Sequence, residues 1–230
     1  YVDSGKLTIE HGAIVNADIF LTGKALLQVD GTVNGLITVL STDSPDARID
    51  WDGTLARPNN ININSTANVR ELRLDNPRGF GGIAGYIGKI TYTENYGGEV
   101  VLWAGSRADE IIYNSATDVF CEGNVGELTI TTGNFGINEA ANIDKVNISG
   151  NAGAWISGRV KLLVYNSSNG FDVSGNGRID TVILGSSADE GTLFNRGTVK
   201  NLIVNRGSVH NEGFMENVYL NNCSYFNSNI

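Results

Sequence analysis

The chain has 230 residues, with 25 Asp and Glu against 16 Lys and Arg, and a formal net charge of −9. It carries no basic cluster, which argues against nucleic acid and anionic membrane surfaces as partners. No apolar run approaches the roughly 18 residues of a membrane-spanning helix.

Residues 1–68 show short strand-like runs: Leu7-Thr8-Ile9, Ala13-Ile14-Val15, Ile19-Phe20-Leu21, Leu26-Leu27-Gln28-Val29 and Leu36-Ile37-Thr38-Val39-Leu40. Gly5, Gly12, Gly23, Gly31 and Gly35 punctuate them. They read as the first, irregular coils of the stack that follows. The first residue is Tyr and not Met, so a processed or truncated product, with a secretion signal removed, is expected. Ser41–Asn68 holds two prolines and reads as an irregular coil or loop outgrowth, with Ile61-Asn62-Ile63 rejoining the stack.

From residue 69 to 230 a phrase recurs nine times: apolar, two variable residues, apolar, one variable residue, apolar. Val69-Leu72-Leu74 and Ile87-Ile90-Tyr92 are the first copies; Val199-Leu202-Val204 and Met215-Val218-Leu220 are the last. Successive copies begin 16 to 21 residues apart, and a fixed period near this length marks a solenoid. The last two apolar positions are two apart, the period of a strand with one buried face. Gly- and Asn-rich turns follow, as in Thr131-Thr132-Gly133-Asn134. A second short apolar stretch then appears, as in Val119-Phe120, Trp155-Ile156 and Leu193-Phe194. All three prolines precede residue 78, and a stacked strand needs every N–H.

The pattern predicts an all-β, single-domain parallel β-helix over residues 1–230, with irregular coils over 1–68 and regular ones over 69–230. Almost no helix is expected. Right-handed winding is expected, because the strict hexapeptides typical of left-handed coils are missing. The competing fold is a leucine-rich-repeat solenoid, whose Leu-x-x-Leu-x-Leu-x-x-Asn template Ile143-Val146-Ile148-Asn151 fits. The period is short for that fold's helix.

No catalytic or metal constellation stands out, and no cofactor is expected. His11 and His210 lie at opposite ends of the stack, and Cys121 and Cys223 sit too many coils apart to pair. Asp50-Trp51-Asp52 is the densest candidate carbohydrate site, since paired carboxylates beside an aromatic suit sugar binding or hydrolysis; a core-facing Trp51 is the plainer alternative. Trp103, with Tyr96 and Arg107, is a candidate stacking platform, although Val100-Val101-Leu102-Trp103 favours a core-facing indole. The outward residue of the phrase becomes apolar in the last four copies: Val164, Ile183, Ile203 and Tyr219. That stripe is a candidate partner-binding face. The final coil is a candidate site of self-association or contact with flanking domains, because nothing in its sequence shields the edge. The Asn residues after each strand, Asn205 and Asn221 among them, are expected to stack as a ladder.

These phrases, with their Gly and Asn corners and strands such as Val160–Tyr165, resemble bacterial surface adhesins and autotransporter passengers of the pectin-lyase-like β-helix class. The resemblance is architectural. It implies an extracellular or cell-surface protein of bacterial or phage origin, an adhesion, binding or scaffold module that contacts a glycan or a host or cell-surface protein. The alternative it carries is a carbohydrate-active enzyme: a polysaccharide lyase or hydrolase, or a tailspike-like depolymerase.

Overall fold

The recurring phrase folds as a strand with a corner inside it. In Asn68–Leu74 the side chains of Val69, Leu72 and Leu74 are buried, while Arg70 and Arg73 are exposed. The final triplet alternates in and out, as strand residues do. Both residues between Val69 and Leu72 point away from the core, so the backbone turns there. The pairing reflects this turn. Ala108 pairs with Val125 and Glu110 with Glu127, leaving Asp109 and Gly126 out of register at the corner.

The computed structural model describes residues 1–23, 25–42, 61–75, 80–97, 99–185 and 191–228. Asp50, Trp51 and Asp52 lie outside them. The described chain is all-β without helices, and its strands stack as a parallel β-solenoid of about 11 turns with ~18 residues per turn. A first ladder joins the phrase strands, running from Ile19–Gly23 through Thr32–Thr42, Asn68–Leu74 and Tyr86–Tyr92 to Thr198–Val204 and Phe214–Leu220. A second ladder joins the short strands. It runs from Lys6–Ile9 through Leu26–Val29, Ile61–Ile63, Phe80–Ile83, Glu99–Leu102 and Val119–Cys121 to Gly207–Asn211 and Cys223–Ser228. The return side of each coil is thus a strand, which removes the leucine-rich-repeat alternative. The early runs join the same stack, and Ile61–Ile63 rejoins it between Leu26–Val29 and Phe80–Ile83 as expected.

In two coils one strand carries both ladders around the corner, over Asn124–Ile137 and Asn142–Ile156. Gly133 makes the first of these bends possible. Its φ is 73°, and a Cβ there would lie 2.1 Å from the Ser115 carbonyl oxygen.

Inward positions form apolar rows parallel to the axis. Leu128, Val146, Leu163, Val182 and Leu202 follow one another in a single row, all buried. Buried aromatics pack in the core beside these rows. Tyr113 lies 5.5 Å from Tyr92 and 5.2 Å from Phe135, and Tyr165 lies 4.5 Å from Phe171. The Tyr92 hydroxyl donates to the Val100 carbonyl at 2.9 Å. Burial pushes the Tyr113 and Tyr165 phenols up to about 12.

The last coil breaks the rule. Met215 is half-buried, and Val218 and Leu220 are exposed, although each continues an inward row. No further strand lies over them among the described residues.

Polar side chains bridge successive coils on the outside. Lys89 meets Glu110 at 3.0 Å, Lys145 meets Glu127 at 2.8 Å and Lys161 meets Asp144 at 2.6 Å. The hydrogen bond from Lys145 holds the Glu127 carboxyl below its ordinary range. These pairs are solvated and individually weak, but like charges in their place would oppose the register. The expected Asn ladder is realised at Asn221, which donates to Asn205 at 2.8 Å. Elsewhere unequal turn lengths give these residues other partners: Asn95 bonds Asp75, and Asn134 bonds Asp118.

Candidate carbohydrate-binding face

The short strands of the second ladder turn one row of residues inward: Cys121, Ile137, Ile156, Val173, Asn195 and Asn211, all buried. The residue before each points outward, since neighbours on a strand alternate. That outward row reads Phe120, Gly136, Trp155, Asp172, Phe194, His210 in direct register. Phe120, Trp155 and Phe194 are 43–44 % exposed, large aromatic side chains left on the surface. Two more exposed aromatics extend the face: Trp103 beyond Glu99–Leu102 and Tyr225 in the last coil.

The aromatic rings are ordered against one another. Phe120 and Trp155 stack with centroids 6.4 Å apart and planes 20° apart. They reach each other over Gly136, where a Cβ would lie 2.1 Å from the Phe120 ring. Phe194 and His210 stack at 5.1 Å and 9°, and Tyr225 lies 5.0 Å beyond His210. Trp103 covers Gly82, where a Cβ would lie 2.6 Å from its ring. Aromatic cover of strand glycines explains part of this order. It leaves Phe120, Trp155, Phe194 and Trp103 exposed all the same.

Asp172 stands between the two stacks. Arg196 donates to its Oδ2, and its Oδ1 is buried with no hydrogen-bond partner. An unpaired buried acceptor costs about 1–3 kcal/mol, so this one calls for an explanation. Two depressions share the Asp172–Phe194 wall. One, of about 230 Å³, is bounded by Asn134, Trp155 and Gly170; the other, of about 300 Å³, by Arg196, His210 and Glu212. Flat rings alternating with carboxylate, amide and guanidinium groups can stack on an apolar face and hydrogen-bond to its rim.

The residues singled out in the sequence fare differently. Trp103 is outward and 50 % exposed, which corrects the core-facing reading. Its supposed companions do not join it: Tyr96 is buried in the core, and Arg107 lies over the Tyr86 ring. Val164, Ile183, Ile203 and Tyr219 are consecutive neighbours in one outward row of the first ladder. The first three are half-buried and Tyr219 is exposed. Cys121 is buried and Cys223 half-buried, both unpaired, and burial pushes the Cys121 thiol up to about 12. Among the described residues no group of three or more His, Cys, Asp or Glu side chains is gathered as for a metal. A second groove on the first ladder interleaves Asp144 and Asp180 with Arg159, Lys161 and Arg178.

Phe120, Trp155, Asp172 and Phe194 were not singled out as a site in the sequence. Their signal was parity. Aligning the short strands on their inward residue puts these side chains in one column.

Compared with known proteins, the chain matches no family model, no curated protein and no solved structure.

Proposed function

We propose that this chain is a non-catalytic carbohydrate-binding β-solenoid acting at an extracellular or cell surface, in the manner of the adhesin and passenger modules its repeats resemble. The observation that carries the reading is the outward column of the second ladder, where exposed stacked aromatics flank polar depressions on a rigid sheet. The face is one side chain wide and broken by Asp172. That suits a narrow glycan chain better than a protein surface, which needs roughly 800 Å² from each partner. The net charge of −9 speaks against stacked nucleobases, whose phosphates need basic side chains. A glycan array probed with calcium and with chelator tests the reading. Selective binding that survives chelation is expected, and a blank array overturns it.

Asp172 and Glu212 facing one depression is the observation that favours a depolymerase as second reading. Product analysis of the bound glycans decides between the two. The uncovered Val218 and Leu220 support contact of the last coil with further coils of the same kind.

A further inference from the structure

The two aromatic stacks stop short of each other at Asp172. In register the order is Trp155, Asp172, Phe194, so the strands bearing the facing rings are two strand spacings apart, roughly 10 Å. One ring held between two others needs twice a carbon–carbon contact, roughly 7–8 Å. Trp155 and Phe194 border one depression of about 230 Å³ between those strands, a space on the scale of a single sugar ring. Phe194 leans over it, since a Cβ at Gly170 would lie 3.2 Å from the Phe194 ring. Asp172, whose Oδ1 is buried and unpaired, and Asn134 border the same depression.

We propose that this slot is a saccharide subsite taking one uncharged pyranose unit, its two faces against Trp155 and Phe194 and its hydroxyls on Asp172 and Asn134. The inference rests on the carbohydrate-binding reading above and adds the place, the ring and the charge. A pyranose has two apolar faces and a rim of donors, which is what two aromatic walls and an unpaired carboxylate oxygen complement. Charge selects further. Arg196 is already engaged by Asp172, and Glu212 in the adjoining depression adds a second negative group. Uronate or sulfated units meet repulsion there.

Affinities are measured by calorimetry on the protein with all three tryptophans, titrated with cellohexaose, maltohexaose, chitohexaose and soluble galactomannan, and with polygalacturonate as the anionic probe. The Trp51→Phe/Trp103→Phe double variant, which leaves Trp155 as the single tryptophan, serves only as the emission reporter for a probe the unaltered protein binds. Saturable binding of a neutral probe, with a change in Trp155 emission, is expected. Asp172→Asn, which keeps shape and loses charge, should weaken binding about tenfold or more while its far-ultraviolet circular dichroism shows the same folded β-structure, as for a hydrogen bond to a charged group. Phe194→Ala should weaken it similarly. Neutral-glycan binding that leaves Trp155 emission and Asp172→Asn affinity unmoved overturns the slot and leaves the wider reading standing. Preference for polygalacturonate overturns the charge selection. No binding of any probe, together with a blank array, overturns both readings.

Discussion

Leu163→Ala and Leu220→Ala make one chemical change at two ends of the same argument. Leu163 is buried in mid-stack, with Val146 and Val182 as its row neighbours. Losing three carbons there removes about 2.4 kcal/mol of transfer free energy at ~0.8 kcal/mol per methylene. The cavity left between two fixed neighbours raises the total to about 3–4 kcal/mol. Leu220 pairs with Val204 on one side only and is 46 % exposed. Half of its transfer term is already absent and no closed cavity forms, so about 1 kcal/mol is expected. Urea unfolding followed by circular dichroism, at low protein concentration and with a shared m-value, measures both. Equal losses at the two sites would refute the reasoning, because Leu220 would then be covered in solution.

Gly133→Ala should cost more than about 2 kcal/mol, since it adds a collision with the Ser115 carbonyl to left-handed strain. Gly5→Ala, with φ 79° and nothing within 4 Å, should cost about 1 kcal/mol for strain alone; thermal melts of both variants check the difference. The Cys121 thiol titrates near 9.0 unfolded and about 12 folded, so between these values the unfolded chain binds fewer protons and stability falls as pH rises. Tyr113 and Tyr165, raised from 10.0 to about 12, act in the same direction. A melting temperature that stays flat through that window would contradict this. A thiol reagent should label Cys223 in the native protein and Cys121 only after denaturation, and rapid labelling of both would contradict the burial of Cys121.

The long strands were legible because their period is long enough to fix both spacing and face. Val69, Leu72 and Leu74 sit where the phrase puts them, and so do their counterparts down to Val199, Leu202 and Val204. The short strands were legible as strands and not as faces. In Trp155-Ile156 both residues are apolar, and three or four residues do not reveal which one points inward. In Leu193-Phe194-Asn195 the larger hydrophobe faces solvent and the amide is buried, because Asn195 donates to Asn211 inside the stack. Burial by type therefore misleads at this position, and only the register resolves it. Trp103 failed for the same reason: all four residues of Val100-Val101-Leu102-Trp103 are apolar, and the alternation that buries Val100 and Leu102 turns Trp103 outward. The partner stripe was legible as a row, since its residues share one position of the phrase. Asp50, Trp51 and Asp52 lie outside the described residues.

A crystal structure of the protein soaked in a neutral oligosaccharide that the array selects tests the central claim most directly. The account predicts sugar density along the outer face of the second ladder, with one ring between Trp155 and Phe194 and a hydroxyl on Asp172. Density confined to the Val164–Ile183–Ile203–Tyr219 row, or to the groove of Asp144 and Asp180, would contradict it.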